Sequence, residues 1–261
     1  MTEPAAVADR HFPSEEVAMT SPSAAMIGAS GYRFLSPVGQ VVRSRVCGRV
    51  VQFTITDKTD VIQRSHLKGV FYEPEELAII GQWFKRGSVF CDIGANIGNH
   101  SIFALKLLNA SQSILFEPNP VAIEVLKSNM HLNGLRKLAD MSFLGLGLSD
   151  TAASGLSIKA PRRNLGAGRM TEGGGDIQTI QGDQALTDRQ VDFIKMDIEG
   201  MELRALAGLS ATIARCRPTM FVEVDNVNNA GFMDWVAANG YRVETSFQRY
   251  PSNVNYLVRP A

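Results

Sequence analysis

Five short apolar runs in this chain end on residues that can do chemistry: Asp92, Glu117, Ser149 with Asp150, Asp197, and Glu223. The first ending carries the most information. Val89, Phe90 and Cys91 read as a buried strand that Asp92 ends. Gly94, Ala95, Asn96 and Gly98 follow before a helical pattern opens near Asn99. Glycine lets the backbone approach a ligand closely, and a helix N-terminus offers unpaired N–H groups. A strand, a glycine turn and a helix start, in that order, suit a nucleotide-like ligand.

Strands and helices in alternation must bring these endings together. Strands are expected over 89–91, 113–116, 141–146, 191–196 and 219–224. Helices are expected from about Asn99 to Leu108, from the Asn119-Pro120 cap to Asn133-Gly134, from about Gly200 to Ala207, and around Phe232, Trp235 and Val236. Two closing strands, 241–247 and 254–258, flank Pro251-Ser252-Asn253, which makes the last one antiparallel. Such alternation builds a mostly parallel sheet with helices on both faces, and ligands bind beyond the carboxyl ends of its strands.

Upstream, 32–35, 41–42 and 50–55 are short β-prone runs, expected to form a small antiparallel meander. His66 to Phe71 reads as a loop. Pro74, Glu75 and Glu76 open a helix running to about Phe84. Residues 1–30 lack periodicity and read as a disordered arm, with a helix over 15–19 as the alternative. The glycine-rich stretch 151–182, with Arg162, Arg163 and Arg169, reads as an inserted hairpin with a mobile loop. The expected division is therefore an arm at 1–30, a meander and helix at 31–86, and the ligand-binding domain at 87–261.

Composition narrows the function. With 26 Lys+Arg against 26 Asp+Glu there is no basic surplus for an extended nucleic-acid surface. No apolar run reaches the ~20 residues that span a bilayer, and a basic start followed by an apolar stretch, as in a secretory signal, is not seen. Cys47, Cys91 and Cys216 have no zinc-like spacing and read as reduced packing residues, which suggests a cytoplasmic protein.

Asp92-Ile-Gly94-Ala-Asn96-Ile-Gly98 resembles the first motif of class I S-adenosylmethionine-dependent methyltransferases, and Glu117-Pro118-Asn119-Pro120 resembles their acidic second-strand end. Phe193-Ile-Lys195-Met-Asp197-Ile-Glu199-Gly200-Met-Glu202 is similar to the signature of the FkbM-type methyltransferases, with Phe71-Tyr72-Glu73 as a weaker match upstream. The resemblance covers roughly 71–224 and implies a Rossmann-like class I methyltransferase sheet, mostly parallel with an antiparallel last strand, behind the small N-terminal β meander. Asn96, where many class I enzymes carry a second glycine, argues against a dinucleotide loop of the G-x-G-x-x-G kind.

The resemblance also implies roles. S-adenosylmethionine would be held by Asp92, Gly94, Ala95, Asn96, Gly98, Glu117, Asn119, Ser149 and Asp150. In that scheme Glu117 accepts both ribose hydroxyls, the 94–98 amides reach the methionyl carboxylate, Asp92 orients the loop or receives the ammonium, and Ser149 and Asp150 meet the adenine edge. Asp197, Glu223, Lys195 and His100 are the catalytic candidates. Closely placed carboxylates raise one another's pKa and can yield a base. Alternatively Asp197, Glu223 and Asp225 hold a divalent metal such as Mg²⁺ that polarises the acceptor. For Lys195 a structural salt bridge is the simpler role, for Glu199 service at a helix N-terminus, for His100 capping or packing, and for Trp235 the core. His66 is a candidate lid residue. Arg162, Arg163 and Arg169 could meet an anionic group, although a solvated loop is their default.

The expected activity is O-methylation of a small molecule's hydroxyl, on a sugar or glycan-linked sugar first and on a polyketide or other secondary metabolite second. A nicotinamide-dependent oxidoreductase is the competitor from another class, because a strand, a glycine turn and a downstream acid suit it too. A cofactor-binding module without chemistry fits the acids at strands four and five less well. The absence of an Asp/Asn-Pro-Pro-aromatic run disfavours base methylation of DNA or RNA.

Overall fold

The computed structural model describes residues 14–20, 39–159, 168–171 and 173–261. Three strands, β1 (Ser14–Thr20), β2 (Gln40–Val46) and β3 (Arg49–Ile55), form an antiparallel sheet. Helices α1 (Val61–Leu67) and α2 (Pro74–Trp83) lead to the central sheet. There the chain runs β4 (Val89–Ile93), α3 (Asn99–Lys106), β5 (Gln112–Glu117), α4 (Pro120–Leu132) and β6 (Ala139–Leu144). A second sheet interrupts it: β7 (Leu146–Ser149), β8 (Ala153–Lys159), β9 (Arg169–Thr171) and β10 (Ile177–Gln181). The chain then returns through α5 (Gly182–Ala185), β11 (Phe193–Met196), α6 (Glu202–Gly208), α7 (Ser210–Cys216) and β12 (Thr219–Asp225). It closes with α8 (Asn229–Ala238), β13 (Tyr241–Phe247) and β14 (Asn253–Pro260).

The central sheet has the order β13-β14-β12-β11-β4-β5-β6. β4 pairs in parallel with β5 on one side and β11 on the other, while β14 lies antiparallel to both its neighbours. This is the expected Rossmann-like sheet with an antiparallel last strand. Strand order reverses between β4 and β11, and a crevice opens beyond the carboxyl ends at such a reversal. Alternation along the strands splits the core: Phe90, Phe193 and Phe221 face α2 and α3, whereas Cys91, Ile194 and Val222 belong to the core on the α6–α8 side. Phe90 and Phe193 are register partners and stack at 5.7 Å.

The outer edge of β3 is covered by α4 rather than by another strand. Asn129 Oδ1 accepts from Thr54 N at 2.7 Å, Asn133 Oδ1 accepts from Gln52 N at 3.0 Å, and Asn133 Nδ2 donates to Gln52 O at 2.6 Å. Two asparagines one helical turn apart thus satisfy backbone groups that an exposed edge leaves open. No helix among the described residues is long and apolar enough to cross a membrane.

Several expectations need correction. Ser14–Thr20 is a strand on β2, not a helix or disordered arm; the rest of 1–38, including the run 32–35, lies outside the described residues. The expected loop at His66 is the end of α1, because Asp60 caps it by accepting from Ile62 N and Gln63 N. The single strand expected over 141–146 is two strands: Gly145, at φ +95°, turns the chain out of the central sheet into the second one. The helix expected from Gly200 starts at Glu202, and α7 follows it. In 151–182 the described residues form strands around β10, while Arg162 and Arg163 lie outside them. Cys91 is buried as expected, but Cys47 is exposed in a turn.

Candidate functional site

Asp92 sits inside β4 rather than at its end, fully buried. Ser101 Oγ donates to its Oδ2 at 2.5 Å, and Lys195 Nζ lies 3.7 Å from its Oδ1. Lys195 reaches it because the two residues are register partners on adjacent strands. Burial raises the Asp92 carboxyl, against the opposing pull of Lys195 and Ser101. So enclosed, Asp92 is tied to α3 through Ser101 and to β11 through Lys195.

The loop after β4 is compressed against β11. A Cβ on Gly94 would lie 1.9 Å from the Asp197 carbonyl oxygen, and its φ is +78°, so only glycine fits. Gly94 N and Ala95 N both donate to Phe116 O at 2.9 Å, and Asn96 N donates to Glu117 Oε2 at 2.7 Å. These amides are therefore already used, contrary to the expectation that they reach a ligand carboxylate. The first-turn N–H groups of α3 have no intrahelical acceptor. Asn96 itself is left-handed at φ 49°, and its buried Oδ1 has no hydrogen-bond partner.

Glu117 accepts Asn96 N on one oxygen and Asn119 N, also at 2.7 Å, on the other. Each oxygen keeps a lone pair for a further donor. Burial pushes this carboxyl up to about 7, although the two amides favour its charged form. Asn119 caps α4 by accepting from Val121 N. Both residues line a cleft whose other walls include Phe116, Leu146, Leu148 and Met170. Ser149 and Asp150 are not on it. Ser149 bonds Asp150, and Asp150 pairs with Arg204 at 2.8 Å. β6 stops at Leu144, and Leu146, Gly147 and Leu148 of β7 line the cleft in its place.

A second cleft shares Gly94, Asn96, Asp197 and Glu199 with the first. Lys195 lies on its floor, donating to Gly94 O at 2.8 Å and standing 3.6 Å from Asp197 Oδ2. Burial opposes its charge, yet Asp197 and Asp92, with Glu73 and Glu223, hold the ammonium above the ordinary lysine range. Oxygens of Asp197, Glu199 and Glu223 come within 4.8 Å of one another. Glu199 joins them because it takes a left-handed conformation, φ 52°, just past β11. The helix-start role belongs to Glu202, which accepts from Gly200 N. Burial and then Asp197 push Glu199 up to about 7; burial, Asp197 and Glu73 push Glu223 up to about 10. Asp225 is not part of this group, since Arg169 from β9 donates to it at 2.7 Å and stands 3.8 Å from Glu199. Arg169 thus pairs with acids of its own chain.

The remaining walls come from distant segments. Asn253 Nδ2 donates to Glu223 at 2.7 Å, while its buried Oδ1 has no partner. Tyr72 and Tyr250 join hydroxyls at 2.9 Å across the rim. His100 faces Glu73 at 3.6 Å. Burial, then Lys195, lowers His100 well below the usual histidine value. His66 does not reach either cleft: it is buried, stacks on Phe53 at 4.0 Å and bonds Asn99 Oδ1 at 2.9 Å. Burial lowers it to about 4. Glu73 and Asn253 escaped sequence reasoning. Glu73 left two signals: it closes the weak family match Phe71-Tyr72-Glu73, and it is an acid too long for a good cap placed just before a helix-opening proline. Asn253 left none, because it reaches the cleft only through the pairing of β14 with β12.

Residues 92–243 match the family described as the methyltransferase FkbM domain. No curated protein matches the chain in sequence. Among solved structures it is similar to the methyltransferase FkbM from Methylobacillus flagellatus, at 16% identity and a TM-score of 0.50, over 67% of this chain and 45% of that one. The chain therefore corresponds to under half of that relative's length. A protein of the NADB-Rossmann superfamily from Streptococcus agalactiae aligns at 15% identity and a TM-score of 0.48, over 73% of this chain and 70% of its own. A tRNA methyltransferase from B. subtilis aligns at 13% identity and a TM-score of 0.48, over 72% and 65%.

Proposed function

The chain belongs to the FkbM methyltransferase family, and from that premise we propose that it transfers the methyl group of S-adenosylmethionine to a hydroxyl oxygen of a small molecule, a sugar or glycan-linked sugar. The observation that carries this reading is the common wall of the two clefts, formed by Gly94, Asn96, Asp197 and Glu199. The first cleft has what a nucleoside needs: apolar walls for a base and a carboxylate, Glu117, with lone pairs left for two ribose hydroxyls. The second is lined by carboxylates and amides suited to hydroxyl groups. A methyl donor in one and an acceptor in the other would meet at the shared wall, and holding the two in line supplies much of the rate.

The chain's own residues then have distinct tasks. Glu117 and Asn119 hold the nucleoside end, and the first turn of α3 faces the methionyl end. Lys195 fixes the Gly94 carbonyl and balances Asp92 and Asp197, which keeps the shared wall rigid. Asp197 and Glu223 contact the acceptor's hydroxyls. Asp197, Glu199 and Glu223 also fit a divalent cation such as Mg²⁺: their donors are all hard oxygens within one ion's reach, and the partnerless Asn253 Oδ1 lies on the same cleft. Such an ion would supply Lewis-acid polarisation of the acceptor oxygen.

Calorimetric titration with S-adenosylmethionine, S-adenosylhomocysteine and NAD tests the cofactor. Binding of both sulfur compounds and not of NAD is the expected result; NAD binding alone refutes the reading and favours an oxidoreductase. Transfer of labelled methyl to a panel of methyl glycosides tests the acceptor, and activity untouched by a chelator would remove the metal.

A further inference from the structure

Glu73 breaks two local rules at once. It is left-handed, at φ 58° and ψ 57°, where a residue other than glycine or asparagine is strained. It also holds the N-cap of α2 without capping it, and its side chain lines the second cleft instead. The conformation is imposed from outside. Asn99, the first residue of α3, clasps the neighbouring residue by accepting from Tyr72 N and donating to Tyr72 O, both at 3.0 Å. Downstream, Arg249 from the β13–β14 connection pairs with Glu75 and Glu76. Strain held in place on both sides, at a residue facing a cleft, marks a position kept for use.

Among the described residues the Glu73 carboxylate makes no hydrogen bond; its one ion-pair contact is His100 Nε2 at 3.6 Å. Its side chain is 12% exposed, against 9% for His100. His100 stands one residue into α3, directly after the glycine loop that the proposed cofactor would occupy. A neutral His100 can donate from Nε2 to one carboxylate oxygen of Glu73 and leave the other open to the cleft. The 3.6 Å separation is of the long kind that tightens when a substrate fills a site.

Building on the O-methyltransferase reading, we propose that Glu73 is the general base that takes the acceptor's hydroxyl proton, with His100 as its positioning residue. The step balances without any further reactant. The hydroxyl proton passes to the Glu73 carboxylate as the oxygen lone pair forms a bond to the methyl carbon. The sulfur–methyl bond breaks with its electron pair going to sulfur, so the sulfonium becomes the neutral thioether of S-adenosylhomocysteine. Glu73 returns the proton to solvent after product leaves. Burial pushes the Glu73 carboxyl up to about 8; Asp197 and Glu76 add to the rise, and Lys195 and Arg249 oppose it. A base in that range works well near neutral pH.

The test uses the full chain, labelled S-adenosylmethionine and the methyl glycosides above, with Glu73→Gln, Glu73→Asp and His100→Gln. The expected result is a kcat loss of about 100-fold or more for Glu73→Gln, with S-adenosylmethionine affinity intact. The wild-type rise in kcat/KM with pH near 8 disappears in that variant, persists at reduced height in Glu73→Asp, and shifts in His100→Gln. A Glu73→Gln enzyme with near-normal kcat and an unchanged pH profile overturns the proposal. So does loss of cofactor affinity in both Glu73 variants, which assigns the residue to the scaffold. Wild-type protein that methylates none of the glycosides defeats the sugar-acceptor reading and this inference with it, whereas transfer with an indifferent Glu73 defeats the inference alone.

Discussion

Glu117 shows how one side chain can serve fold and ligand together. Its two oxygens tie the Asn96 amide of the β4 loop to the Asn119 amide at the start of α4. Only the ionised form offers lone pairs on both oxygens to a ribose as well. Because burial sets this group at about 7, affinity for S-adenosylmethionine should climb as pH rises through neutrality and then level off. Glu117→Gln should weaken binding by about 1.5–3 kcal/mol, the worth of a hydrogen bond to a charged group, and flatten that pH dependence. Calorimetry of both proteins from mildly acid to mildly alkaline pH measures the difference; parallel curves would sink the assignment. The acid itself was legible in the sequence as a strand ending. The amides that orient it were not, since they depend on how the glycine loop folds back over β5.

At the scale of elements, the second sheet does more than fill an insertion. Ile158 of β8 and Met170 of β9 wall the first cleft, and Arg169 beside Met170 pairs with Asp225 and reaches Glu199, which lines the second. One hairpin therefore touches both clefts, fastened by an arginine that is itself more than half exposed. Arg169 is exposed but its partner Asp225 is buried and would be left unpaired, so Arg169→Ala should lower the melting temperature, though only modestly. It should also loosen the hairpin and speed S-adenosylmethionine dissociation several-fold, read by stopped-flow fluorescence or surface plasmon resonance. A large drop in melting temperature with no change in dissociation rate would show that the arginine serves the fold alone. The sequence marked Arg169 only as one of three basic residues in a glycine-rich stretch. Its partner was decided by where β9 docks against the end of β12.

For the whole molecule, the governing fact is a concentration of buried acids at one edge of the sheet. Glu117 and Glu199 are raised to about 7, Glu73 to about 8 and Glu223 to about 10, all from an ordinary 4.5. An acid whose folded-state pKa is raised favours the native state when protonated, and its contribution is lost between its ordinary and folded values, so above neutrality Glu73 and Glu223 carry the effect. The ligand-free protein should therefore lose thermal stability from neutral pH towards pH ~10. His66 acts in the opposite sense, but only between about 4 and its ordinary 6.5, below that window. Thermal denaturation over the range checks this, and Mg²⁺ or S-adenosylmethionine should blunt the decline if they occupy the clefts. A melting temperature that holds constant or increases across the window would contradict the picture.

The amino-acid sequence by itself determined the alternating α/β order, the glycine turn after β4 and the acids at the ends of β5, β11 and β12. These are local facts: apolar periodicity, turn chemistry and strand endings are written residue by residue. It also carried the family motif, whose Asp197 and Glu199 do meet in space. What only the tertiary structure decided is which groups share a cleft. Past the turn at Gly145, Ser149 and Asp150 lie off the first cleft, Arg169 pairs with Asp225, a left-handed turn brings Glu199 beside Asp197, and Asn99 clasps Tyr72 next to Glu73. Each outcome depends on contacts between segments far apart in the chain, and no local pattern encodes where such segments meet.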